Sequence, residues 1–70
     1  MKITFKSLES MVEDINQEKK LTSQNVGFLV VRPSYEYYEL VERLEENTTK
    51  IRQLKRGTAK DIYGYIVNEL

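Results

Sequence analysis

Apolar and polar side chains alternate at the beginning of the chain. Met1, Ile3 and Phe5 would share one face of an extended segment, while the side chains between them are polar. A period of two is that of a β-strand with one buried face. The pattern therefore predicts a strand over residues 1–6.

The next apolar residues are spaced as in an amphipathic helix. Ser7 is a suitable N-cap, since its hydroxyl can accept a backbone N–H of the first turn. Lys19 and Lys20 stand where cations favour the end of a helix. The pattern predicts one helix between these ends. At the spacing i, i+3, i+4 and i+7, its apolar face would consist of Leu8, Met11, Val12 and Ile15.

A short apolar run follows a polar turn at residues 22–25. Residues 26–31, Val-Gly-Phe-Leu-Val-Val, are too few for an independent helix and rich in β-branched side chains. Such a run is typical of a strand that is buried on both faces. Pro33 lacks an N–H and holds Arg32 extended, so we expect the strand to end there.

A second helix is predicted after Pro33. Ser34 can cap it, and Glu36 lies in the first turn, where negative charge is favoured. Asn47 would end it. The apolar positions with helical spacing are Tyr37, Leu40, Val41 and Leu44.

Residues 48–57 fit two structures. Ile51 and Leu54 are three apart, which favours a turn of helix, whereas Thr-Thr-Lys-Ile at residues 48–51 could equally begin a strand. We interpret the segment as a helical turn or irregular chain.

A last helix is predicted after Gly57. Thr58 and Asp61 have the spacing of a capping box, in which each residue bonds the backbone N–H of the other. Gly64 would interrupt this helix. Its apolar positions are Ile62, Tyr65, Ile66 and Leu70.

These elements predict a single α+β domain over residues 1–70, in the order strand, helix, strand, helix, uncertain segment, helix. The sheet would have two to three strands, covered by two to three helices. A two-stranded sheet is marginally stable in water. A third strand would therefore come from residues 21–22, from residues 49–54 or from a second chain, and we expect a homodimer.

The residue inventory excludes several kinds of chemistry. Cys and His are both absent, which removes disulfides, Cys/His zinc sites, cysteine nucleophiles and histidine acid–base catalysis. The three glycines are isolated, so no phosphate-binding loop is present. We therefore expect no enzyme activity, catalytic residue, metal or cofactor. With no apolar run of membrane-spanning length and no signal-peptide pattern, a cytoplasmic location without membrane contact is expected.

A formal net charge of zero conceals two oppositely charged segments. Residues 34–46 carry five acidic residues and one arginine, whereas residues 47–60 carry five cations and no acid. The two segments could dock against each other, or the basic one could bind phosphates or an acidic surface of a partner protein. The five cations are Lys50, Arg52, Lys55, Arg56 and Lys60.

Five tyrosines in a chain of this length are a further candidate for recognition. Tyr37 and Tyr65 fall on predicted apolar faces and are expected in the core. Tyr35, Tyr38 and Tyr63 cannot all point inward in the predicted helices. Exposed tyrosines are enriched at protein interfaces, because they supply a large contact area at small entropic cost.

Two parts of the chain resemble Phd/YefM antitoxins. The polar residues 21–25, the apolar residues 27–31, and then Ser34 with Tyr-Tyr-Glu-Leu at residues 37–40 are similar to the polar hairpin, apolar strand and Ser-led helix in the middle of that family. Residues 53–62, Gln-Leu-Lys-Arg-Gly-Thr-Ala-Lys-Asp-Ile, resemble the Gly-Thr-bearing tail with which some members grip their toxin.

The resemblance implies an antitoxin-like regulator. Such a protein would be a dimer whose N-terminal half binds operator DNA and whose C-terminal part neutralises a partner toxin. Lys2 and Lys6 would then contact nucleic acid. The partner-binding residues would be Lys50, Ile51, Arg52, Leu54, Lys55, Arg56, Lys60, Ile62, Tyr63 and Ile66.

Other functions are compatible with the same residues. The main alternative is an inhibitor from a phage or mobile element that binds and blocks a host enzyme or defence effector. A small subunit that completes the sheet of another protein is a third. A ribbon–helix–helix protein has a similar order of elements, but its short connection between helices conflicts with the long basic stretch at residues 47–57.

Overall fold

The computed structural model describes residues 2–46 and 49–70. Its elements follow the order α-β-β-β-α, which corrects the predicted order of strand, helix, strand, helix, helix. The three strands form one antiparallel sheet with β2 in the centre. The elements are α1 (Phe5–Glu18), β1 (Leu29–Ser34), β2 (Tyr37–Arg43), β3 (Ile51–Gly57) and α2 (Ala59–Glu69).

Both helices pack on the same face of the sheet. Helix α1 lies against β1, and α2 lies against β3 and β2, so that the two helices also contact each other. A single apolar core results from this arrangement, formed by Leu8, Val12, Leu29, Val31, Leu40, Ile62 and Ile66. Among the described residues, no helix is long and apolar enough to cross a membrane.

The predicted first helix is confirmed, but it begins earlier than expected. Thr4, rather than Ser7, is the N-cap: Ser7 N donates to Thr4 Oγ1 at 3.1 Å, and Thr4 N donates to Ser7 Oγ at 3.0 Å. The predicted strand over residues 1–6 is therefore wrong; of its residues, Met1 lies outside the described part of the chain. The apolar side chain of Phe5 belongs to the first helical turn, where its ring stacks on Tyr38 with centroids 5.5 Å apart.

The predicted second helix is also wrong, because residues 34–43 form the end of β1, a turn and strand β2. Strand β1 runs through Pro33 to Ser34, and a two-residue turn then leads into β2. Pro33 pairs with Tyr38 at a position where the N–H of any other residue would point away from β2. Proline is tolerated there because no hydrogen bond between the strands is lost. The apolar residues with helical spacing, up to Val41, instead lie on both faces of the central strand β2. Asn47 and Thr48, the predicted end of the helix, lie outside the described residues.

Residues 51–57 form a strand, which was the alternative to the preferred helical turn. Strand β3 pairs antiparallel with β2, with Glu42 opposite Arg52 and Leu40 opposite Lys55. The register shifts between these pairs, so that Leu54 is an additional residue in β3. Such a bulge bends the strand, and Leu54 packs against the core. The chain thus supplies its own third strand, and the shortage of strands no longer supports a homodimer.

The last helix is confirmed together with its capping box, but it runs through Gly64 without interruption and ends at Glu69. Thr58 N donates to Asp61 Oδ2 at 2.9 Å, and Asp61 N donates to Thr58 Oγ1 at 3.3 Å. Ile62 and Ile66 then face the core. The two reciprocal bonds satisfy backbone donors that the first turn of a helix otherwise leaves without partners.

Asn16 joins α1 to the outer side of β1. Its amide nitrogen donates to Leu29 O, and its oxygen accepts from Leu29 N, both at 3.0 Å. The side chain is buried and occupies the place of a neighbouring strand for one residue of β1. The 8–12–16 spacing on the apolar face of α1 is the signal that could have identified it.

We predict that Asn16→Ala destabilises the protein by about 2–4 kcal/mol, because it leaves the N–H and C=O of Leu29 without partners in a buried place. Urea denaturation followed by circular dichroism measures this change. Gln17→Ala, at the exposed neighbouring position, is the control and should change the free energy of unfolding by less than about 0.5 kcal/mol. Equal effects of the two substitutions would contradict the structural role of Asn16.

Candidate functional site

The two edges of the sheet differ in how many backbone groups they leave open. In β1, Leu29 is bonded by Asn16, and Pro33 has no N–H to offer. Just beyond the ends of β2 and β3, Leu44 N donates to Lys50 O at 3.0 Å, and this bond fixes which residues of β3 direct their backbone groups toward β2. The backbone groups of Ile51, Gln53 and Arg56 therefore point away from β2. Among the described residues, no side chain bonds them, and β3 is the open edge.

Ion pairs connect the acidic and the basic segment within the sheet. Glu42 pairs with Arg52 across β2 and β3, and Lys50 Nζ lies 3.3 Å from Glu45 Oε1 just beyond the strand ends. The two segments do contact each other, but as neighbouring strands and not as the expected acidic helix against a basic segment. Opposite charges directly across a sheet favour that register.

A second set of charges lies on the open face of the sheet, away from the helices. Arg32 of β1 pairs with Glu39 of β2, and Arg56 of β3 lies opposite the same glutamate. The Arg56 guanidinium carbon also lies 5.7 Å from the centre of the Tyr37 ring, a cation–π arrangement. Tyr37 was expected in the core, but 44% of its surface is exposed. No pattern within residues 34–46 indicates that contact, since it depends on strand pairing.

Three cations of the basic segment remain without an ion pair among the described residues, and while Arg56 contacts the Tyr37 ring, the other two are Lys55 and Lys60. Both are exposed and line a groove of about 550 Å³ between β3 and α2. Its other lining residues are Asp61, Gly64, Tyr65, Asn68 and Glu69. We call the outer side of β3 together with the first turn of α2 the basic edge; its exposed cations are Lys55, Arg56 and Lys60.

The predicted partner-binding residues fall into two groups. The five cations and Ile51, which is 40% exposed, lie on the surface, whereas Leu54 and Tyr63 are partly buried. Ile62 and Ile66 lie in the core, where a partner cannot contact them while α2 is packed. The surface available to a partner is therefore the basic edge with Ile51, without the two core isoleucines.

The predicted nucleic-acid contacts, Lys2 and Lys6, lie elsewhere. Lys6 is exposed in the first turn of α1, and Lys2 is exposed just before it; Phe5 between them stacks on Tyr38 of the central strand. Among the described residues, no hydrogen bond or ion pair joins the two lysines to the basic edge. Further along α1, the exposed side chains include four acids, Glu9, Glu13, Asp14 and Glu18.

Asp61 is the acidic residue closest in sequence to the unpaired lysines. The hydrogen bonds from the Thr58 backbone and hydroxyl lower the pKa of Asp61 below the ordinary aspartate value of 3.8, with smaller contributions from Lys55 and Lys60. Its carboxylate caps α2 and remains negatively charged beside Lys55 and Lys60, without an ion pair to either lysine among the described residues. Among the described residues, no cluster of His, Cys, Asp or Glu is suited to hold a metal ion.

Gly64 leaves the α2 side of the groove open. A Cβ at this position would meet no atom within 4 Å. Glycine within a helix lowers its stability relative to alanine, so packing inside the protein gives no reason for this residue. Gly57 is different, because a Cβ there would lie 2.6 Å from Asp61 Oδ2.

No family model matches this chain, and no curated protein or solved structure matches it. The likeness to Phd/YefM antitoxins stays a prediction. Residues 34–40, which that likeness assigns to a Ser-led helix, form the end of β1, the turn and the start of β2. Residues 53–62, which resemble a toxin-gripping tail of that family, comprise most of β3 and the first turn of α2.

We predict that Gly64→Ala stabilises the protein by about 0.5–1 kcal/mol, because it restricts the unfolded chain and meets no neighbour in the folded one. Gly57→Ala is the contrasting variant and should destabilise it, since the new methyl group displaces the capping carboxylate of Asp61. Urea denaturation of the three proteins measures both effects. Destabilisation by Gly64→Ala would contradict the open space at this position, because it would show that the new methyl group meets neighbouring atoms.

The capping charge of Asp61 predicts a dependence of stability on pH. Because the pKa is lower in the folded than in the unfolded chain, ionisation favours folding. This contribution is complete above the unfolded value and is lost as pH falls through the folded one. Asp61→Asn keeps an accepting oxygen but cannot ionise. The difference in unfolding free energy between wild type and Asp61→Asn should therefore shrink as pH falls below about 4; a constant difference down to about pH 2 would contradict the cap.

Proposed function

We propose that this chain is a non-catalytic binding protein that recognises an acidic surface of a partner protein through the basic edge. The observation that carries the proposal is that Lys55 and Lys60 remain unpaired and exposed beside one groove, whereas Arg52 and Lys50 are paired with glutamates. Exposed charges of one sign attract and orient a complementary surface.

A protein partner is favoured over a nucleic acid by the distribution of acids. Asp61 and Glu69 line the same groove as the two lysines. Glu42 lies on the neighbouring strand β2, and Glu45 lies just beyond the end of that strand. A phosphate backbone, with a negative charge at each nucleotide, would meet these carboxylates. A folded protein can place single acidic side chains opposite Lys55 and Lys60 and avoid them.

The antitoxin-like regulator is one form of this function. It is supported by the likeness of residues 53–62 to a toxin-gripping tail, since these residues form the basic edge. In this form the partner is a toxin, and Lys2 and Lys6 would contact operator DNA. The alternative form, in which the partner is a host enzyme or defence effector, uses the same surface and requires no DNA contact.

We predict that Lys55→Glu with Lys60→Glu weakens binding of the partner about 10- to 100-fold, because attraction to acidic groups becomes repulsion. The matched control is Lys2→Glu with Lys6→Glu, which changes the net charge equally at the beginning of α1. Tagged forms of the three proteins are used for affinity capture from the cells that carry the gene, with quantification of each bound protein. The affinity of the purified partner is then measured at several salt concentrations.

The expected partner is captured by wild type and by the Lys2/Lys6 variant but not by the Lys55/Lys60 variant. Circular dichroism checks that each variant is folded. Equal capture of every partner by both variants would exclude the basic edge as the contact.

The same proteins distinguish the two forms. An antitoxin has a toxin gene beside its own and binds its own promoter, with affinity that depends on Lys2 and Lys6 and falls as salt rises. Absence of both properties favours the inhibitor.

A further inference from the structure

Strand β3 is an edge that remains available for backbone pairing. Its residues Ile51, Gln53 and Arg56 direct their N–H and C=O groups outward, and no proline lies within the strand. Unpaired edges of this kind are templates for another strand, and proteins generally block them unless they are used. Here the opposite edge is partly blocked, by Asn16 at Leu29 and by Pro33, so that of Leu29, Val31 and Pro33 only Val31 offers an outward N–H to another strand.

The charges on β3 disfavour the β3 strand of a second copy as the occupant. Two β3 strands side by side would bring Arg52, Lys55 and Arg56 close to the same cations of the other copy, and like charges across a sheet are destabilising. An acidic strand would meet complementary charge instead. The edge therefore discriminates by charge between the β3 strand of a second copy and an acidic strand of a partner.

The bulge and α2 shape the space beside this edge. Leu54 and Lys55 are adjacent at the bulge; Leu54 packs into the core, and Lys55 lines the groove below α2. On the other side of the groove, Gly64 has no side chain and no neighbour within 4 Å of a Cβ position. A backbone can approach a helix most closely at glycine. The groove thus has room for an extended chain beside β3.

We propose that β3 accepts an extended acidic segment of the partner protein as a fourth strand of the sheet. The backbone of that segment pairs with the outward groups of Ile51, Gln53 and Arg56. Its side chains alternate between the two faces, and those on the helix side place carboxylates near Lys55 and Lys60. This inference rests on the proposed function, because it uses the same basic edge, and adds the mode of recognition.

The probe for this mode is a short synthetic peptide of alternating glutamate and valine, which places all its carboxylates on one face of a strand. A peptide of alternating glutamate and proline is the control: it has the same charge, but proline lacks the N–H and does not fit a strand ladder. Binding is followed by nuclear magnetic resonance, with amide hydrogen exchange measured at each residue of β3.

The glutamate–valine peptide is expected to slow exchange of the Ile51, Gln53 and Arg56 amides about tenfold when present at about ten times its Kd. The amide of Tyr35, in the exposed turn between β1 and β2, exchanges without opening of the sheet; it is the internal reference and should change little. The glutamate–proline peptide should bind at least about tenfold more weakly.

Two substitutions of one residue test the same contact from the side of the protein. Gln53→Pro removes one outward N–H without removing a bond to β2, and its ring obstructs a neighbouring strand. It should weaken the glutamate–valine peptide about tenfold, whereas Gln53→Ala should change the Kd less than about twofold. If Gln53→Pro does not fold, the difference in affinity of the wild-type protein for the two peptides is sufficient to decide whether a strand is added to β3.

The outcomes separate this inference from the proposed function. Equal binding of both peptides, lost in Lys55→Glu with Lys60→Glu, overturns strand addition but supports the basic edge as a docking surface. Absence of binding by the glutamate–valine peptide also overturns strand addition, while the capture experiment with the lysine variants still decides the proposed function. Selective binding with protection of the three outward amides supports both.

Discussion

The pairing of acidic β2 with basic β3 is the interaction on which the sheet and the proposed binding surface both depend. Exposed ion pairs such as Glu42–Arg52 contribute only about 0–1 kcal/mol each, so most of the stability comes from the apolar core under the helices. The role of the charges is to favour one register over its neighbours. The same pairing occupies some of the cations and leaves Lys55 and Lys60 exposed.

The two sheet edges show how one small domain can restrict its associations. On β1, the side chain of Asn16 replaces a neighbouring strand at Leu29, and Pro33 removes one outward donor. On β3, the backbone stays open, and positive charge restricts which strands can pair with it. A protein that binds through an open edge needs such a restriction, because the same backbone groups otherwise promote aggregation.

Much of the candidate site could be located from the sequence, but its geometry could not. The five cations of residues 50–60 were found by composition alone, and four of them lie on β3 or the start of α2. Ile62 and Ile66 were wrongly assigned to the same surface. Both lie on the face of α2 that belongs to the core, whereas the candidate site uses exposed residues. The contact of Arg56 with Tyr37 connects residues of different strands, and no local pattern encodes it.

The amino-acid sequence by itself determined the two helices and the segregation of charge. The apolar spacing of α1 and the Thr58–Asp61 cap of α2 are local features, since helical hydrogen bonds join residues only four apart. Only the tertiary structure decided the conformation of residues 29–46 and 49–57. There the spacing of Tyr37, Leu40 and Val41 fits either a helix or a central strand. A strand has hydrogen-bond partners distant in sequence, so its formation depends on which segments meet around the common core.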